Sequence, residues 1–260
     1  WTDIIYNITM YSLLQKKPTV QADPYPHVVI EDALPWDLYE QLEREWPEQQ
    51  LLATQPHDDG ICYRLKADEM LKPGVVSELW RKFTEYHTSI EFYNEVKYIF
   101  KDYITDIPNV ENTLSPRGWD KGNDMIGTDC QTVMHSPIDF SSRTPHIDNP
   151  REIYAGLLYM PYPNDDSTGG EFQIHRSVGQ IKRVNKNGGR EVEVKNQGGI
   201  VKSVPYKRNT FVMFCNNSSN TVHSVSKRKN ATLHRRSVNI IAEYNRVAKK
   251  SMFKIEEFRK

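Results

Sequence analysis

Two textures divide the chain. Between residue 27 and about residue 103 the apolar positions recur mostly at helical spacing, and after Pro116 they come in short extended runs cut by Gly, Pro, Asn and Asp. The β-branched run His27–Ile30 predicts a short strand. Leu38, Leu42 and Trp46 sit at helical spacing, so a helix is predicted over Asp37–Trp46, ended by Pro47. A longer helical region is predicted from Val75 to about Tyr103, burying Leu79, Phe83, Ile90, Phe92, Tyr93, Val96 and Phe100. Upstream, Ile4–Leu14 has mixed periodicity and stops at Pro18.

The second texture predicts strands at Thr128–Met134, Ile153–Met160, Glu171–Ile174, Gln180–Val184, Arg190–Val194, Ile200–Val204, Thr210–Phe214, Thr221–Val225 and Arg235–Glu243. Gly188-Gly189 and Gly198-Gly199 mark tight turns. This series fits an α+β, mainly β fold: a double-stranded β-helix (jelly-roll, cupin-like) core with the N-terminal helices packed on the outer face of one sheet. One domain over 1–260 is expected. Residues 1–115 supply a strand and supporting helices, 116–245 the core with a hairpin insertion at 180–208, and 246–260 a tail. Side chains alternate along a strand, so Val238, Ile240 and Ala242 should face the helices while Arg235, Ser237 and Asn239 face the cavity. Choosing Arg236 as the inward arginine would turn the aliphatic set inward instead.

Candidate chemistry centres on Thr144-Pro145-His146-Ile147-Asp148-Asn149-Pro150. One intervening residue lets an imidazole and a carboxylate point to the same side of an extended segment. A third ligand is available downstream in His223. Two histidines and one carboxylate on one face of an ion, with open positions opposite, suit non-haem Fe(II) and O₂ chemistry, and zinc is the rival.

The order of motifs around these residues resembles the iron(II)/2-oxoglutarate-dependent dioxygenases of the prolyl-hydroxylase-like branch. The likeness runs through His146-x-Asp148-Asn149-Pro150, the strand ending Leu158-Tyr159-Met160, the turn Gly169-Gly170-Glu171, the aromatic strand before His223, and the pair Arg235 and Ser237. It spans roughly residues 125 to 245, with a weaker echo at Pro26–Leu34. The resemblance implies Fe(II) held by His146, Asp148 and His223, with 2-oxoglutarate and O₂ as cosubstrates. It also implies hydroxylation of a C–H bond with release of succinate and CO₂. Arg235 would take the distal carboxylate of 2-oxoglutarate, because a guanidinium fork matches a carboxylate, with Ser237 and Tyr159 beside it and Arg236 as the reserve. Retention of Asp148 favours hydroxylation over halogenation. Gln131, Asn239 and His135 by alternation, and Asn149 by its place beside Asp148, are possible pocket residues. Asn149 borders the site, where a local role supporting the turn before Pro150 is expected. For His135 and His175 a hydrogen-bonded structural role is weighed against cavity lining.

Composition adds less. Lys plus Arg and Asp plus Glu balance at 34 each, but residues 1–100 carry 9 basic against 17 acidic and residues 101–260 carry 25 against 17. The half with the candidate site is the basic one. Lys182, Arg183, Lys186, Arg190, Lys195, Lys202, Lys207 and Arg208 crowd the hairpin against Glu191 and Glu193, so an anionic peptide, protein or small-molecule substrate is among the partners to expect. Nucleic acid is not favoured, since no aromatic and basic interleaving marks a base-stacking track. Three widely spaced cysteines argue against a disulfide framework and for a reducing, cytoplasmic setting, and no apolar run is long enough for a membrane span. A nucleobase-oxidising dioxygenase and a non-catalytic, metal-holding cupin-like protein remain as alternatives.

Overall fold

The computed structural model describes residues 10–47, 62–103, 114–117, 125–137, 143–176, 181–184, 192–194, 198–218 and 220–253. Most of the Ile4–Leu14 stretch, the turn at Gly188-Gly189 and the last part of the C-terminal tail lie outside these residues, as do the hairpin side chains from 177 to 197.

Thirteen strands are described: β1 (His27–Ile30), β2 (Cys62–Leu65), β3 (Leu114–Pro116), β4 (Ile126–His135), β5 (Arg143–Ile147), β6 (Glu152–Tyr159), β7 (Phe172–His175), β8 (Ile181–Val184), β9 (Val192–Val194), β10 (Ile200–Val204), β11 (Phe211–Cys215), β12 (His223–Val225) and β13 (Arg235–Tyr244). Four helices precede the core: α1 (Trp36–Arg44), α2 (Ala67–Met70), α3 (Glu78–His87) and α4 (Ile90–Phe100). The larger sheet is ordered β1-β11-β6-β13-β4-β2, with β3 also on β4, and the smaller is ordered β10-β7-β12-β5-β9-β8. From β4 onward the chain crosses back and forth between the two sheets: β4, β6, β11 and β13 lie in the larger, and β5, β7, β10 and β12 in the smaller. That path is a double-stranded β-helix, and β8 and β9 extend its smaller sheet.

The expected long helical region is two helices. Thr88 Oγ1 folds back onto the carbonyl of Thr84 at 2.9 Å, and Ser89 caps the next helix by accepting from Phe92 N at 3.3 Å. A side-chain oxygen that satisfies a free helix-end amide makes a new start cheaper than continuation. Helix α1 begins one residue earlier and ends two earlier than expected, leaving Trp46 just beyond its end. Strands β2, β3 and β5 and helix α2 are additions to the predicted set.

The core forms where the helices cover the larger sheet. Leu38, Tyr39, Leu42, Trp80, Phe83, Phe92, Tyr93 and Phe100 pack with Tyr154, Leu158, Phe211, Met213, Val238, Ile240 and Ala242, all buried. Val238, Ile240 and Ala242 thus face the helices, as period-two alternation requires. A second cluster of Tyr25, Ala155, Tyr159, Phe172, Ile174, Val204, Val212 and Phe214 fills the space between the sheets. This division leaves the inner face of β13 for polar residues. The three cysteines are free and buried. Among the described residues, no helix is long and apolar enough to cross a membrane.

Candidate active site

Strands β5 and β12 pair antiparallel with His146 directly opposite His223. Cross-strand partners project to the same face, so the two rings meet with centroids 4.3 Å apart. Asp148 follows just past the end of β5, where the chain turns back toward β6. His146 Nε2 lies 3.5 Å from Asp148 Oδ1 and His223 Nε2 lies 3.4 Å from Asp148 Oδ2. One ligand atom from each of the three falls within 4.8 Å of the others.

Each imidazole is oriented from behind. His146 Nδ1 donates to the carbonyl of Thr144 at 2.6 Å, and His223 Nδ1 donates to that of Thr221 at 2.9 Å. A carbonyl can only accept, so the proton sits on Nδ1 and the lone pair of Nε2 points at Asp148. This backbone arrangement fixes metal-binding histidines in their ligating tautomer. His223 is also held between aromatic rings, stacked on Phe172 at 5.2 Å and against Phe214 at 4.7 Å. Burial opposes ionisation of Asp148, but in the metal-free site, where Nε2 can take up a proton, the charge and hydrogen bonds of the His223 and His146 imidazoliums outweigh it and hold the carboxyl well below the usual carboxylate range. The donor set of two imidazole nitrogens and one carboxylate oxygen fits a divalent ion of the Fe(II) or Zn(II) kind.

Behind the three residues lies a cavity of about 120 Å³, lined among others by Val133, His135, Leu157, Phe172, Arg235, Ser237 and Asn239. Arg235 reaches into it as a buried guanidinium, 2 % exposed. Its Nη2 makes one long contact to the carbonyl of Gly170, 3.4 Å away, and its Nε is buried with no hydrogen-bond partner. The rings of Tyr159 and Tyr206 flank it at 5.1 and 5.0 Å. No ion pair joins it to a carboxylate among the described residues.

Arg236, next in sequence, points the other way. It donates from Nε to the carbonyl of Met160 at 3.0 Å, stacks on Tyr162 at 3.8 Å and approaches Glu43. The strand alternation that places Val238 against the helices separates the two arginines.

Ser237 lies opposite Tyr159 across the β13–β6 pair, and its Oγ donates to Asn239 Oδ1 at 3.3 Å. Tyr159 is fully buried. Burial pushes its phenol up to about 12 and Arg235 partly offsets the shift, so it stays protonated and able to donate. Asn239 and His135 are on the cavity wall. Gln131 stands opposite Asn239 on β4, but it donates to Asp129 Oδ2 at 3.1 Å and is not on the cavity wall.

Asn149 is not a pocket residue. Its Oδ1 accepts from Arg151 N at 3.1 Å and its carbonyl accepts from Asn216 Nδ2 at 2.9 Å, which ties down the turn between β5 and β6. His175 bonds Ser224 Oγ at 2.7 Å, and that hydroxyl donates on to Gln173 Oε1, so it is a hydrogen-bonded structural histidine.

Three features of the site have no short-range sequence signal. Tyr206 comes from the loop after β10, packs on the Tyr159 ring at 5.2 Å, and accepts from Arg236 N at 2.7 Å. Phe172 and Phe214 clamp His223, and both had been visible only as strand residues. Arg64 reaches the cavity from β2, which was not predicted. The basic hairpin finds its place too: β9 pairs with β5, Glu193 standing opposite His146.

No family model and no curated protein matches this chain. Among solved structures it is similar to a prolyl-4-hydroxylase from Pseudomonas putida, at 14% identity and a TM-score of 0.42 over 86% of this chain and 90% of that one. It is similar also to a Trichoplax adhaerens prolyl hydroxylase solved with a hypoxia-inducible-factor peptide, at 12% identity and 0.48 over 95% and 94%. A third is the Arabidopsis thaliana dioxygenase for auxin oxidation with 2-oxoglutarate, at 10% identity and 0.45 over 90% and 88%.

Proposed function

We propose that the chain is an Fe(II)- and 2-oxoglutarate-dependent dioxygenase that hydroxylates a C–H bond of a protein side chain or small molecule. The observation that carries this reading is a pairing within one cavity: a His-Asp-His cluster with both Nε2 atoms turned inward, and a buried arginine with no anionic partner among the described residues. A buried guanidinium is costly unless an anion meets it. A dicarboxylate that chelates the ion at one end and reaches Arg235 at the other satisfies both features.

His146, Asp148 and His223 would hold the Fe(II) ion. When bound, the Fe(II) and 2-oxoglutarate pair supplies the oxidising power for C–H hydroxylation, with succinate and CO₂ as coproducts. The chain's own part is positioning and exclusion. Arg235 offers a fork to the distal carboxylate, and the Tyr159 hydroxyl donates beside it. Ser237 exchanges its long bond to Asn239 for a contact with the cosubstrate. Val133, Leu157 and Phe172 keep bulk water from the reacting centre.

The test is conversion of 2-oxoglutarate to succinate by the purified protein with and without Fe(II), alongside calorimetric titration with Mn(II). Fe(II)-dependent succinate and stoichiometric Mn(II) binding are expected, both lost in His146→Ala. Tight metal binding with no succinate under any condition would return the protein to a non-catalytic role.

A further inference from the structure

A second arginine faces the cavity. Arg64 lies on β2, opposite Val133 of β4, which in turn stands opposite Ser237 of β13. Alternation sends Tyr63 and Leu65 toward the helices, where both pack against the core, and turns Arg64 onto the cavity wall. Its Nε is buried with no hydrogen-bond partner, and no carboxylate among the described residues forms an ion pair with it. Other partly buried arginines differ: Arg117 faces Asp129 and Glu243, Arg208 faces Glu43, and Arg228 faces Asp165. Glu152, the cavity's other carboxylate besides Asp148, lies in the field of Arg117.

Resting on the cosubstrate reading above, charge bookkeeping leaves Arg64 unmatched. One carboxylate of 2-oxoglutarate goes to the ion and the other to Arg235, so the cosubstrate has no third anionic group. Nor does the sheet bring Arg64 to Arg235: two strand spacings and a two-residue offset separate their backbones by about 12 Å. Among the described strands β2 ends the order of the larger sheet, so Arg64 stands at the edge of the cavity wall, away from Arg235.

We propose that Arg64 anchors an oxyanion of the primary substrate, a carboxylate or a phosphate, and that the substrate is therefore an acidic small molecule. The fork binds the anionic end and sets how far the rest extends toward the ion, which makes Arg64 a determinant of both affinity and the position oxidised.

The experiment follows arginine Nε–H signals by NMR in ¹⁵N-labelled, Zn(II)-loaded protein, with the two cavity arginines assigned from Arg64→Lys and Arg235→Lys. 2-Oxoglutarate is added to saturation, then acetate or inorganic phosphate in separate titrations. The expected result is that 2-oxoglutarate moves the Arg235 signal and leaves Arg64 in place, while one of the two added anions then moves Arg64. Response to acetate marks a carboxylate substrate, and response to phosphate a phosphorylated one. Arg64→Met keeps most of the stem and should weaken that anion by about tenfold or more. The proposal is overturned if the Arg64 signal follows 2-oxoglutarate, if it ignores both anions up to tens of millimolar, or if Arg64→Met binds them as wild type does. Failure of the Arg235 signal to respond to 2-oxoglutarate would instead count against the cosubstrate reading, and the Arg64 titration would still decide whether the anion site exists.

Discussion

Replacing Arg235 by Met separates a ligand-binding arginine from a structural one. In the free protein its guanidinium is 2 % exposed and holds one backbone contact of 3.4 Å and two tyrosine faces near 5 Å. The two ring contacts are worth about 1 kcal/mol each, and they are set against the cost of burying a charge without a counter-ion. Arg235→Met loses the first and is relieved of the second, so the free protein should unfold within about 1 kcal/mol of wild type. Arg228 is the internal control. It is equally buried, reaches both oxygens of Asp165 at 3.1 and 3.0 Å, and bonds Ser167 and the carbonyl of Leu233. Arg228→Met strands Asp165 and should cost about 3–5 kcal/mol. The cosubstrate should show the reverse pattern. Two charge-assisted hydrogen bonds at about 1.5–3 kcal/mol each put the loss in 2-oxoglutarate affinity of Arg235→Met at roughly a hundredfold or more, with Arg228→Met near wild type if it still folds. Urea unfolding with and without Mn(II) and 2-oxoglutarate reads both quantities. If Arg235→Met is destabilised as far as Arg228→Met and 2-oxoglutarate still protects it fully, Arg235 belongs to the scaffold and the reasoning fails.

Asp148→Ala should abolish measurable Mn(II) binding while leaving the fold intact by circular dichroism, because it removes the charged member of the ligand set; retained affinity would move the metal site elsewhere. His87 is buried between α3 and α4 with its pKa lowered to about 3 by burial, opposed by its bond to the carbonyl of Phe83. Since the unfolded chain takes up this proton near the ordinary histidine value and the folded chain does not, stability should fall as pH drops from about 6.5 toward 3, at up to about 1.4 kcal/mol per unit. His87→Phe should flatten that limb in pH-dependent unfolding, and an unchanged slope would assign it to other groups. Gly169 has φ +85° and a side chain there would meet the carbonyl oxygen of Lys227 at 2.0 Å, so Gly169→Ala should lower stability by about 2 kcal/mol or more and weaken 2-oxoglutarate binding by shifting Gly170 beside Arg235. A melting temperature equal to wild type would contradict this.

Patterns with a local cause could be read from the sequence. Period-two alternation on β13 distinguishes Arg235 from Arg236 because a slip by one residue would carry Val238, Ile240 and Ala242 away from the helices, a cost no single polar contact matches. Similarly, His146 and Asp148 are legible because one short segment places both. The break between α3 and α4 was written there too, in Thr88 and Ser89, but apolar spacing runs across it without a change of phase. Capping oxygens outweigh that continuity at a helix end, and a reading based on apolar periodicity alone passes over them.

What could not be read depends on which strands lie side by side. His223 joins His146 and Asp148 by standing opposite His146, a pairing between residues 77 positions apart. Tyr206 reaches Arg235 only because β10 and β13 bring distant loops together, and Arg64 enters the cavity because β2 docks on the far side of β4. In each case the local sequence is ordinary: a tyrosine in a Pro-Tyr-Lys turn, an arginine in Cys-Tyr-Arg-Leu. Their environment is set by the sheet order, and the sheet order by burial summed over whole strands. A single-residue motif is therefore least informative at the cavity walls, where substrate selection takes place. There the informative feature is a mismatch, a guanidinium that faces the cavity with a buried Nε left unanswered among the described residues, and Arg64 and Arg235 both show it.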